Sequence, residues 1–224
     1  MAGRTFNNIT QYPVFPWVIA DYTSDTLDLN DSKIYRDLTK PVGALNPDRL
    51  AHLIERFDDL DRFPEEEKIL YESHYSSPGV VLHFLVRQEP FTSMHIALQS
   101  GRFDCPDRLF FDVEGCWRSC LTSTSDVKEL TPEFFCCPDV FVNMNGFPLG
   151  ETQNKYRVDN VKLPPWEKGS AHKFVRMNRL ALESEYLRRG INMIEAEIPH
   201  LHSHRNIPSV SSTRKNSRRI IMAT

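Results

Sequence analysis

The chain has 224 residues, 40% hydrophobic and 11% aromatic, with a formal net charge of −3. That length supports one sizeable core in a single domain. No apolar run reaches bilayer-spanning length, and Met1 to Phe6 lacks the apolar run and cleavage pattern of a signal peptide, so a soluble, cytoplasmic protein is expected. Five cysteines, at 105, 116, 120, 136 and 137, form no C-x-x-C spacing and no even framework, which reads as reduced, packed thiols rather than metal ligands or disulfides. Charge is unevenly placed: from Leu187 onward about seven Lys/Arg face two Asp/Glu, leaving that tail near +5 and the body near −8.

In chain order, Tyr12-Pro-Val-Phe-Pro-Trp-Val-Ile-Ala-Asp-Tyr22 is almost wholly apolar, yet its prolines remove backbone donors and bar Tyr12 and Phe15 from helical dihedrals. An extended, buried segment with helices around it is expected, and because such a strand cannot form a full ladder, side-chain donors should be drawn inside. Thr23 to Asp37 reads as an acidic loop. Asn46-Pro47-Asp48 supplies a cap, a proline at the first helical position and a first-turn acid, followed by Leu50, Leu53, Ile54, Phe57 and Leu60 at helical spacing. Glu55, Arg56, Asp58 and Asp59 fall on its solvent face.

Ser77-Pro78 starts a second helix, apolar nearly all round until Pro90, with His83 as a core histidine. Phe91 to Leu98 reads as a further short helix closed by Gly101. Asp112 is a candidate cap for a helix that places Val113, Cys116, Trp117, Cys120 and Leu121 on one face. Thr131-Pro132 suggests one helical turn, Pro138 to Trp166 loops with a hairpin, and Ser170 the cap of a last helix through Phe174 and Leu182 to Tyr186. Trp166 is expected to plug the core. Leu187 to Thr224, with two prolines, His200, His202, His204 and basic clusters, has no sustained periodicity and reads as disordered.

No phosphate-binding loop, dinucleotide fingerprint, nucleophile elbow, zinc helix or calcium loop occurs. A hydrolase site could still be assembled from Ser76 or Ser77, His74, and Asp104 or Asp107.

Several stretches together resemble the BEACH domain shared by the neurobeachin and Lyst (lysosomal trafficking regulator) groups and the factor associated with neutral sphingomyelinase activation. They are Tyr12-Pro-Val-Phe-Pro-Trp17, Tyr35-Arg-Asp-Leu-Thr-Lys-Pro41, Ser73-His-Tyr-Ser76, Glu89-Pro-Phe-Thr92, Gly101-Arg-Phe-Asp104 and Asp107-Arg108. Further on come Asp126-Val-Lys-Glu-Leu130, Pro132-Glu-Phe-Phe135, Leu163-Pro-Pro-Trp166 and Ala181-Leu-Glu-Ser-Glu-Tyr186. The resemblance implies a mainly α, BEACH-type fold with helices packed around extended, irregular core segments, and a non-enzymatic scaffold without cofactor or metal. It implies protein partners in vesicle traffic, lysosome-related biology and autophagy, with a PH-like domain before and WD40 repeats after it in parent proteins. Location would be cytoplasmic, with indirect attachment to endosomal or lysosomal membranes; no nucleic-acid partner is implied.

The chain departs from the family pattern at both ends, opening after a first helical segment and lacking, beyond Tyr186, the family's histidine- and tryptophan-containing helix. A partial BEACH domain over residues 1–186 and a non-homologous basic tail over 187–224 are therefore expected, with exposed apolar faces as the consequence. Lipid binding is not expected, because no amphipathic basic helix precedes the tail. Phe15, Trp17, Trp117 and Trp166 are the expected core anchors. Arg36, Asp37, Arg102, Asp104, Asp107, Arg108, Lys128, Glu129 and Glu133, set among apolar residues, are expected to form mostly buried, paired networks that stabilise the irregular backbone.

Overall fold

The computed structural model describes residues 4–62, 69–71 and 73–188. It is mainly helical, and among the described residues β pairing is confined to isolated bridges. Helix α1, Pro47–Asp59, begins where the sequence places it: Asn46 Oδ1 accepts the N–H groups of Asp48 and Arg49 at 3.0 and 3.2 Å. Its inward face differs from the apolar reading. Arg49 and Leu53, one turn apart, are buried, whereas Ile54 is 44% exposed. Arg56, assigned to the solvent face, is half-buried and donates to the Leu70 carbonyl at 3.1 Å.

Helix α2, Pro78–Phe84, is capped by Ser77 Oγ, which accepts the Val80 N–H at 3.3 Å. It stops short of Pro90. Proline disfavours helical backbone at Glu89, and Leu85 to Gln88 form a turn in which Arg87 lies fully buried. Helix α3, Phe91–Leu98, ends in two left-handed residues, Ser100 and Gly101, with the Gly101 N–H donating to Ile96. Helix α4, Val113–Thr122, buries Val113, Cys116, Trp117 and Cys120. Asp112 occupies its cap position without a side-chain capping bond; its carboxylate instead faces Lys162 Nζ at 3.6 Å. Helix α5, Glu133–Cys136, is one turn, and α6, Ala171–Leu182, is capped by Ser170 Oγ on the Lys173 N–H. The expected hairpin near Tyr156 is reduced to one antiparallel bridge, Glu151 with Arg157, flanked by N–H···O bonds from Thr152 to Tyr156 and from Val158 to Gly150.

The core is aromatic and continuous. Trp17 packs on Trp117 and Phe134 at centroid distances of 5.2 and 6.1 Å, Phe134 on Phe141 at 5.0 Å, Phe141 on Phe174 at 4.9 Å, and Trp166 stacks on Phe174. Phe15 is only half-buried, against Phe135. Indole N–H groups need partners when buried, and those of Trp17 and Trp166 find carbonyls, of Lys128 and Asp21 respectively. Leu187 belongs to this core at 3% exposure, so the globular part continues past Tyr186, which stacks on Tyr35. The remainder of the tail, including His200, His202 and His204, lies outside the described residues. No helix among the described residues is long and apolar enough to cross a membrane.

Candidate functional site

The opening stretch runs extended through the core and is held at two points. Phe15 and Leu130 exchange N–H···O bonds of 2.9 Å, and Ile34 and Arg36 bracket the second bridge through Ala20 and Val18. Between these points Trp17 has no strand partner, and its N–H donates to Glu129 Oε2 at 3.0 Å. Arg36 completes the arrangement: one amino group reaches both Glu129 oxygens at 2.8 and 2.7 Å, and the other donates to the Lys40 carbonyl at 3.0 Å. Arg36 is 5% exposed, and burial raises the Glu129 carboxyl against the opposing pull of that guanidinium.

Two further arginines do the same elsewhere. Arg49 donates to the carbonyls of Val42 and Cys120 at 2.6 Å and of Ser123 at 2.9 Å, tying α1 to the end of α4. Arg87 donates to Phe110 and Asp159 at 2.6 and 2.8 Å; burial pushes its pKa down to about 10, leaving it cationic at neutral pH. Sequence reasoning passed over both, since each stands in a helix-forming run. The only signal available was an arginine on an otherwise apolar face.

Beside the Arg36–Glu129 pair opens a cavity of about 320 Å³, walled by Val14 and Pro16, by Pro41 to Gly43, and by Tyr71 and Tyr75, with Glu129 on its wall. Gly43 is required there, because a Cβ at this position would overlap the Tyr71 ring. The cavity is suited to an apolar group, and its single carboxylate is already paired.

The nine charged residues divide. Arg36, Lys128 and Glu129 lie inside, Lys128 paired with Asp126, whose carboxylate also accepts the Ser119 hydroxyl at 2.7 Å. Glu133 accepts the Tyr12 phenol at 2.6 Å and is half-buried. Asp37, Arg102, Asp107 and Arg108 are exposed, contrary to the expectation of burial. Asp37 holds the turn at Thr39, Asp107 accepts the Gln153 N–H, and Arg108 makes only a 3.5 Å contact with the half-buried Asp104. The apolar residues that alternate with them, Phe103, Leu109 and Phe111, form a small satellite core, so the charges there project outward.

The hydrolase arrangement is not assembled. His74 makes no hydrogen bond to Ser76 or Ser77 among the described residues, and Ser77 Oγ is committed to capping α2. Asp104 lies beside His95, whose Nε2 accepts its N–H at 3.3 Å. No cluster of three metal-ligating side chains occurs among the described residues.

The Beige/BEACH domain model matches residues 1–194. The chain belongs to that family. The match runs past Tyr186 and takes in Leu187, in keeping with the burial of that side chain. Similar BEACH proteins include BEACH domain-containing protein lvsD of Dictyostelium discoideum, 53% identical over 192 residues, 86% of this chain and 6% of that protein. BEACH domain-containing protein B of Arabidopsis thaliana is 53% identical over 187 residues, 84% of this chain and 7% of its own length. Beige protein homolog 1 of Schizosaccharomyces pombe is 48% identical over 191 residues, again 84% and 7%. The chain thus spans 6–7% of the length of these relatives.

Proposed function

We propose that this BEACH domain is a non-catalytic scaffold that mediates protein–protein contacts in vesicle and lysosomal membrane traffic or autophagy. One observation carries the non-catalytic part: the three buried arginines and the carboxylate paired with Arg36 are spent on the irregular backbone. Arg36, Arg49 and Arg87 donate to carbonyls, and Glu129 accepts a main-chain N–H. A catalytic acid, base or nucleophile must be free to meet a reacting atom, and the one serine–histidine set drawn from the sequence is not joined. The traffic assignment rests on the BEACH family resemblance, which also supplies the expected neighbours, a PH-like domain and WD40 repeats, and an indirect attachment to endosomal or lysosomal membranes.

Fusing the full chain to a promiscuous biotin ligase in cells tests the reading. Proteins of endosomal, lysosomal or autophagic membranes should be enriched over ligase alone, and enrichment should vanish when Trp17→Ala collapses the core. Labelling equal to that of free ligase would defeat the proposal. Ester hydrolysis by the purified chain that is abolished by His74→Ala would restore the enzymatic alternative.

A further inference from the structure

The outward face of α6 bears a stripe of positive charge on a body that is otherwise net acidic. Its cations, Lys173, Arg176 and Arg179, are exposed, following the exposed Lys168, and the exposed His172 lies beside them. The opposite face, Ala171, Phe174, Val175, Asn178 and Ala181, is buried, so the helix is fixed in orientation. Among the described residues, the ion pairs lie elsewhere and none involves Lys168, His172, Arg176 or Arg179. Lys173 donates to the Trp166 carbonyl at 2.7 Å. The acid nearest the start of the helix, Glu167, is turned inward at 3% exposure and accepts the N–H groups of Gly169 and Ser170. At the other end Glu185 is paired with Arg188, and the exposed Glu183 marks the limit of the stripe. This basic face also corrects the expectation that no amphipathic basic helix precedes the tail.

Resting on the reading of the chain as a protein-binding scaffold, we propose that this α6 face docks an acidic segment of a partner protein. Lys173, Arg176 and Arg179 repeat at the three-residue spacing of one helix side, with His172 beside them, a stripe about 9 Å long and one helix wide. Two arginines offer bidentate geometry to carboxylates, and Leu180, 37% exposed one turn beyond Arg176, supplies an apolar contact. The partner segment therefore carries carboxylates around an apolar side chain. An anionic bilayer fits less well. It extends beyond the narrow stripe and would face the net negative charge of the remaining body, whereas a peptide meets only the stripe.

The test uses the full 224-residue chain and a fluorescein-labelled helical peptide of Glu, Ala and Leu, with Glu repeating at alternating four- and three-residue spacing around a leucine. Anisotropy should report binding that weakens steeply with salt, and Arg176→Glu with Arg179→Glu should weaken it about tenfold or more. The control pair Lys155→Glu with Arg157→Glu, exposed cations away from α6, should leave it unchanged. Arg176→Gln with Arg179→Gln should fall between, and decides the matter if the reversal unfolds the chain. Equal binding by the α6 variants and the wild type overturns the proposal. So does sedimentation with phosphatidylserine vesicles that the α6 variants abolish while the peptide goes unbound, which would assign the stripe to a lipid surface. Peptide binding that persists while endosomal labelling is absent would count against the traffic reading alone.

Discussion

Arg36→Ala would leave the Glu129 carboxylate buried without its cation, a loss of about 3–5 kcal/mol by the usual cost of breaking such a pair. Urea denaturation should register it as a lower midpoint with unchanged slope. Replacing both partners by apolar residues of similar volume is often harmless in other buried pairs, but here Arg36→Met with Glu129→Leu also orphans the Trp17 N–H. That double variant should remain about 1–3 kcal/mol less stable than wild type; full recovery would show that the pair does not support the opening stretch. Two other residues contribute to the acid limb, alongside Asp21 and Asp37, whose carboxyls are also lowered by hydrogen bonds from neighbouring residues. Burial lowers His95 below its ordinary 6.5, so the unfolded chain takes up that proton first, and stability present above pH 6.5 declines as pH falls through it toward the lower folded value. Asp126 is lowered below 3.8 because Lys128 and the Ser119 hydroxyl outweigh a burial effect of opposite sign; its contribution is present above pH 3.8 and is lost as pH falls further. Thermal melts across pH should show a smaller upper step in His95→Gln and a smaller lower one in Asp126→Asn.

Helix starts were legible because they are local. Asn46-Pro47, Ser77-Pro78 and Ser170 cap through atoms within three residues of themselves, and Ser77→Ala should therefore cost about 1 kcal/mol as a lost cap, read as a lower melting temperature. The ends of elements were less legible. The stop of α2 at Phe84 depends on where the Phe110 and Asp159 carbonyls lie, since they draw Arg87 inward. Asp112 has the sequence of a cap, yet Lys162, brought alongside by a parallel bridge, claims its carboxylate. Gly43 shows the same dependence on a distant element. Gly43→Ala should displace the Tyr71 ring and reshape the cavity, at about 1–3 kcal/mol for overpacking. A shift in tyrosine fluorescence together with a lower melting temperature would establish it; an unchanged melt would place Tyr71 elsewhere.

At the scale of the molecule, one largely aromatic core runs from Tyr12 to Leu187. Leu187 closes it, so Leu187→Ala should destabilise the chain by about 2–5 kcal/mol, and a chain ending at Tyr186 should melt below the full one. Equal melting temperatures would make residue 187 peripheral. The BEACH family itself was readable from ordered motifs such as Tyr12–Trp17 and Leu163–Trp166, because each combines prolines with aromatics whose backbone and burial demands few other arrangements meet. From sequence alone came the helix starts, the extended and buried course of the opening stretch, the tryptophan anchors and the absence of a local catalytic motif. These follow from dihedral restriction, capping chemistry and apolar content, all carried by near neighbours. Tertiary structure alone decided which charges go inside. Arg36, Arg49 and Arg87 are buried and Arg102 and Arg108 are not, because a guanidinium is drawn in where irregular backbone, helix ends or a carboxylate converge on it as acceptors, and that convergence is set by chain segments far away in sequence.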